Sequence, residues 1–152
     1  MITSRPNTSV RRSAATGLDE LVSGVRALVS RNADRQQTAR LVAGELARRL
    51  PSADVLPPGQ RKGDPDGYRS HVLHTEPGGT FSIVALVWRP GQVTPIHDHV
   101  TWCVFGVDDD TAISIHVYVT DVSRIGSSVR RYYDQPIRTR ARRGAGCRST
   151  RW

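Results

Sequence analysis

His97 and His99 are the residues of this sequence best placed to do chemistry. They stand at i and i+2 in Thr94-Pro95-Ile96-His97-Asp98-His99. On an extended chain that spacing turns both imidazoles to the same side. Two neighbouring ring nitrogens can then take adjacent positions on one metal, and nitrogen donors suit iron, zinc, copper or nickel. A bare His-x-His also arises by chance on exposed segments, and it opens some zinc hydrolase sites. The context narrows the choice: an apolar run ends at Trp88, Pro90-Gly91 makes a turn, and Gly91 precedes His97 by six residues. No carboxylate stands at the spacing that the general base of a zinc hydrolase would need.

Strands and helices must hold these residues. Tyr68 to Thr75 predicts a strand, closed by a turn at Pro77-Gly78-Gly79. Thr80 to Trp88 predicts a mostly buried strand, since Ile83-Val84-Ala85-Leu86-Val87 is apolar on both faces. Val100 to Val107 and Thr111 to Thr120 predict two more. Ahead of them, Leu18, Leu21, Val22, Val25, Leu28 and Val29 recur at helical spacing over 17–31, with Thr16 and Asp19 as a capping pair. A second helix is expected over 34–50, with Asp34 and Gln37 at its start, Ala39, Val42, Leu46 and Leu50 as its stripe, and Pro51 as its stop. Both stripes read as packing surfaces. Residues 51–67, rich in Pro, Gly and Asp, read as a loop.

The charge is +8, but its distribution argues against a nucleic-acid surface. Residues 1–16 hold three Arg and no acid, and residues 138–152 hold six Arg and no acid. The body between them is close to neutral. Residues 1–16 and 138–152 are therefore expected to be disordered basic tails that touch polyanions weakly, flanking a single domain over 17–137. No apolar run approaches the length of a membrane span, and no secretory leader is evident. With two cysteines, Cys103 inside an apolar run and Cys147 in the tail, a reducing cytoplasm is the expected setting.

Gly91-x5-His97-x-His99 resembles the first cupin motif, and Cys103 stands where most cupins place Glu. That Cys, the run from Trp88-Arg89-Pro90-Gly91 to His99, and Ser114-Ile115-His116-Val117-Tyr118 are together similar to the thiol dioxygenases, the cysteine dioxygenase family. The likeness covers roughly 68–137. It implies a mainly β fold: a cupin-type double-stranded β-helix, or jelly roll, with two N-terminal helices. It also implies Fe(II) on His97 and His99, and a small thiol oxidised by O2 to its sulfinic acid. Ser114, His116 and Tyr118 would form a relay beside the iron, and in some relatives the Cys matching Cys103 is joined to the Tyr matching Tyr118 by a thioether. Taken alone, Ser114, His116 and Tyr118 alternate with Ile113, Ile115 and Val117 as on any half-buried strand. Cys103 alone would be a small core residue.

The sequence departs from that pattern at three places. No second cupin motif supplies the third His that the family's iron needs. Asp110 stands where the first motif's closing Gly is expected, so an internal segment of several strands is expected to be missing between Val107 and Asp108, leaving the jelly roll incomplete. The family's substrate-binding Arg stands two residues after a Tyr, whereas Arg69 directly follows Tyr68. Arg69 is thus a displaced candidate for the substrate carboxylate, of cysteine or a mercapto-carboxylic acid. His71, His74 and His116 are the alternative ligands, with His71 and His74 expected on opposite faces of their strand. The readings that follow are a monomeric or homodimeric thiol dioxygenase-like enzyme, a non-catalytic metal- or small-molecule-binding cupin module, and an inactive remnant.

Overall fold

The structure is a computed structural model that describes residues 8–108, 112–126 and 129–134. Helix α1 spans Thr8–Val29 and α2 spans Arg35–Arg48. Strands follow at Arg69–Thr75 (β1), Ser82–Val87 (β2), Ile96–His99 (β3), Cys103–Asp108 (β4) and Ile113–Tyr118 (β5). A short α3, Val122–Ile125, precedes the last strand, β6, at Val129–Tyr133. All pairing among these strands is antiparallel: four form a sheet in the order β1-β2-β5-β4, and β3 pairs with β6 as a separate ribbon. The expected mainly β architecture with two N-terminal helices is therefore what the chain adopts.

Alternation on the central strand explains the layering. Ile113, Ile115 and Val117 face α1 and α2, where they meet Ile83, Ala85 and Val87 of β2 and Leu21, Val25, Val42 and Leu46 of the helices. These residues form one dry core. The opposite face of the sheet carries Val84, Leu86, Cys103 and Tyr118. β2 is buried along its whole length because it lies inside the sheet and is covered on both faces.

The helices follow their sequence closely at one end. The side chain of Asp34 accepts a hydrogen bond from the Gln37 amide at 2.9 Å and caps α2. α1 begins at Thr8, not at residue 17, so Thr16 lies inside it. Arg11, Arg12, Ala14 and Ala15 are good helix formers, and their propensity continues the helix into what the charge pattern alone assigned to a disordered tail. The expected tail over 138–152 lies outside the described residues. The loop over 51–67 contains two short 3-10 turns, Ala53–Val55 and Pro58–Arg61. Among the described residues no helix is long and apolar enough to cross a membrane.

Two turns and one irregularity set the sheet's geometry. The Arg89 carbonyl accepts from the Gln92 amide at 3.1 Å, closing a turn over Pro90-Gly91 in which Gly91 has φ +84°. Pro then Gly is the pairing that a type II turn requires, and it starts the approach to β3. In β1 the register slips between Val72 and His74, so His71 opposes Ala85 while His74 opposes Ile83. The bulge overturns the expectation that His71 and His74 face opposite ways: both of their partners face the helices. His74 bonds Glu76 at 2.8 Å and packs on Phe81, and Arg26 of α1 grips the same Glu76 at 2.6 and 2.9 Å. This clasp ties α1 to the β1–β2 hairpin and holds the Glu76 carboxyl down at about 2, first through Arg26 and then through His74.

Gly106 marks the closest approach of α2 to the sheet. A Cβ there would lie 2.8 Å from Leu50 Cδ1 and 3.6 Å from Leu46 Cγ. Gly106→Val raises strand propensity yet overfills this contact, and overpacking wins. The expected outcome is a loss of about 1–3 kcal/mol, read as a lower denaturation midpoint with an unchanged slope.

Candidate functional site

The site lies between the sheet and the β3–β6 ribbon. A cavity of 830 Å³ opens there. His97 and His99 enter it from β3, Cys103, Phe105 and Val107 from β4, Ser114, His116 and Tyr118 from β5, and Leu86 and Trp88 from the end of β2. The register arranges these in rows. Ser82, Tyr118 and Cys103 lie side by side, as do Val84, His116 and Phe105, and then Leu86, Ser114 and Val107.

The His-x-His geometry is as its spacing predicts. The two rings are neighbours, with centroids 4.8 Å apart and nearly perpendicular planes. His97 Nδ1 lies 2.8 Å from the Pro95 carbonyl, to which it donates, so Nε2 is its free ring nitrogen. This bond to a backbone carbonyl is the usual way a ligating imidazole is oriented. His99 packs edge-on to Tyr118 at 5.5 Å. Between them Asp98 points away from the cavity. Its Oδ2 accepts from Arg130 at 2.5 and 3.2 Å and from the Tyr133 hydroxyl at 3.1 Å, pinning β3 to β6. The Arg130 bonds, more than burial opposes them, hold the Asp98 carboxyl below its ordinary value. Its Oδ1 is buried without a hydrogen-bond partner.

The second group of polar side chains runs along β5. Trp88 Nε1 donates to Ser114 Oγ at 2.9 Å, and Ser114 Oγ lies 2.8 Å from His116 Nε2. Cys103 Sγ donates to the Val104 carbonyl at 3.7 Å, so toward His116 it accepts, and the Ser114 hydroxyl, which takes the indole proton on one lone pair, donates its own proton to Nε2. That leaves the His116 proton on Nδ1, facing Cys103 Sγ at 3.5 Å. The His116 ring is stacked between Phe105 and Tyr118, with centroids 5.2 and 6.0 Å away. Burial, then the neighbouring His99 and His97, push its pKa down to about 3, so it is neutral at physiological pH. Burial pushes the Cys103 thiol up to about 12, partly offset by its hydrogen bond with Tyr118. Cys103 is a free thiol and, being protonated, a poor nucleophile. The Tyr118 hydroxyl is raised too, by burial first and then by Cys103.

His97, His99, Cys103, Ser114, His116 and Tyr118 thus meet in one cavity. Trp88, which sequence alone assigns to packing, is part of the hydrogen-bonded chain. Only its place beside a strand rich in polar side chains hinted at this. Arg69 stays outside: it bonds Asp64 at 3.0 and 3.2 Å and does not line the cavity. His71 and His74 do not line it either.

The donor set fits a metal at two positions and not at three. His97 and His99 provide adjacent imidazoles. His116 has both ring nitrogens engaged, and among the described residues no three His, Cys, Asp or Glu side chains are grouped as a metal would require. No protein-family model matches this chain.

Two outcomes check this description. Trp88→Phe removes the indole's hydrogen bond to the buried Ser114 hydroxyl, so about 0.5–1.5 kcal/mol of stability should be lost, read as a lower denaturation midpoint. The depressed pKa of His116 contributes stability that is complete above pH 6.5 and is lost as pH falls toward 3. Denaturant titrations of the metal-free protein across that window should therefore fall more steeply for the wild type than for His116→Gln.

Proposed function

We propose that this chain is a thiol dioxygenase-like protein on an incomplete cupin jelly roll, converting a small thiol and O2 to the sulfinic acid. The observation that carries the reading is the meeting, in one cavity, of the His97–His99 pair with the Ser114–His116 chain, Tyr118 and Cys103. These residues lie on three strands, β3, β4 and β5, and are the ones that the sequence likeness singles out. The overall reaction balances without a further reductant: both atoms of O2 end on sulfur, which gives up four electrons, and the thiol proton ends on the sulfinic acid.

His97 and His99 would hold Fe(II), which when bound supplies the thiolate affinity and the O2 reactivity that protein side chains lack. The chain's own part is positioning. The Pro95 carbonyl sets the His97 ring, and Asp98 fixes the strand that carries both ligands. Trp88 and Ser114 hold the His116 ring in place through one hydrogen-bonded chain. Tyr118 stays protonated beside His99, and its hydrogen bond with Cys103 holds the hydroxyl at the reacting end of the cavity.

A second reading rests on the donor count. With two imidazoles grouped and no third among the described residues, the cavity also suits a metal- or small-molecule-binding module without turnover.

O2 uptake by the Fe(II)-loaded protein, with a thiol and without, separates the two. Thiol-dependent uptake with matching sulfinate is the expected result. His97→Ala and His99→Ala should each abolish it, and Tyr118→Phe should lower kcat about 10–100-fold while iron binding persists. Iron retained with no thiol-dependent uptake would leave only the binding module.

A further inference from the structure

The cavity's two ends differ in character. One end holds His97, His99 and Tyr118. The other, two register steps along β5, is the row Leu86–Ser114–Val107, bordered by Trp88 and Ala112. Ser114 is the polar member of that row, and its hydroxyl is already committed to Trp88 and His116. Val93 and Ile96 extend the apolar wall to the mouth, where they are 66% and 37% exposed.

Among the described lining residues there is no Lys, Arg, Asp or Glu. Two nearby cations are occupied elsewhere, Arg69 on Asp64 and Arg130 on Asp98. The β5 histidine is stacked between two aromatic rings and is hydrogen-bonded at both nitrogens. A carboxylate placed along this wall meets no counter-charge among the described lining residues. A volume of 830 Å³ is also far more than a three-carbon thiol fills, and lies in the range of larger organic ligands.

We infer that the cavity selects an uncharged thiol with an apolar or aromatic body, its sulfur at the His97–His99 end and its body along Leu86, Trp88, Phe105 and Val107, in preference to an amino-acid-like or mercapto-carboxylic thiol. This rests on the thiol reading above and narrows it. The Phe105 and Trp88 rings supply flat surfaces against which an aromatic body packs. Val107, 45% exposed at the rim, is the position where a cation can be added without disturbing the core.

The test compares phenylmethanethiol with 3-mercaptopropionate on the full chain. Binding to the iron-free protein is followed by NMR of the Trp88 indole N–H, and O2 uptake is measured in parallel after Fe(II) loading. Phenylmethanethiol should bind at least 10-fold more tightly. Val107→Arg, checked for its native fold by circular dichroism, should improve 3-mercaptopropionate binding at least 10-fold and reverse the order. Equal or tighter binding of 3-mercaptopropionate to the wild type overturns the inference, as does binding of neither thiol, or a preference that Val107→Arg leaves unchanged. The two readings fail separately. Preferred binding of phenylmethanethiol with no uptake from either thiol removes the dioxygenase and keeps the ligand class. Uptake with 3-mercaptopropionate alone does the reverse.

Discussion

Strict alternation on β5 is the constraint from which the rest of the molecule follows. Ile113, Ile115 and Val117 must be buried under the helices, so Ser114, His116 and Tyr118 must face the other way. A slip of one residue would bury a hydroxyl, an imidazole and a phenol in a dry core and expose three branched aliphatics. The hydrophobic layer therefore does more than stabilise the sheet. It fixes which side chains can meet the histidines of β3, and the neighbouring strands inherit that assignment through their register. Cys103 opposes Tyr118 because β4 pairs with β5 in a single frame.

The polar chain on this face is built to be neutral. Its members are buried or partly buried, and they bond one another through an indole N–H, a hydroxyl and a protonated thiol. Low dielectric makes such a chain stable only if it is complete. Charge is kept to the molecule's outer contacts, at Glu76 with Arg26 and at Asp98 with Arg130, where it ties elements together without entering the cavity.

Much of this was legible in the sequence. The caps and stripe of α2, the apolar run of β2 and the alternation of β5 are local signals, and local signals survive without knowledge of the fold. The His97–His99 pair was legible for the same reason: two positions on one strand need no tertiary information to share a face. Non-local features were not. β6, Val129–Tyr133, has no apolar alternation, and its pairing with β3 spans 32 residues at the Asp98–Arg130 bond. The bulge at Leu73 inverts the facing of His74, and no residue type there announces it. Trp88 looked like packing because an indole's hydrogen-bond partner is chosen by the fold, here 26 residues away. Arg69 fell one step out of place in the sequence, and in the structure it bonds an acid outside the cavity.

The ligand pair and the polar chain belong to different sheets. Among the described residues no strand ladder joins the β3–β6 ribbon to the four-stranded sheet, and ring contacts such as His99 with Tyr118 span the gap. The site is thus assembled across a seam that no strand ladder crosses among the described residues. The larger sheet has the helical layer behind it, whereas the ribbon has two strands and the Asp98 clasp. Such a part opens at lower free energy than the whole molecule unfolds. On warming, the seam parts before the core does, so the cavity ceases to exist as a site while the helices and the main sheet are still intact.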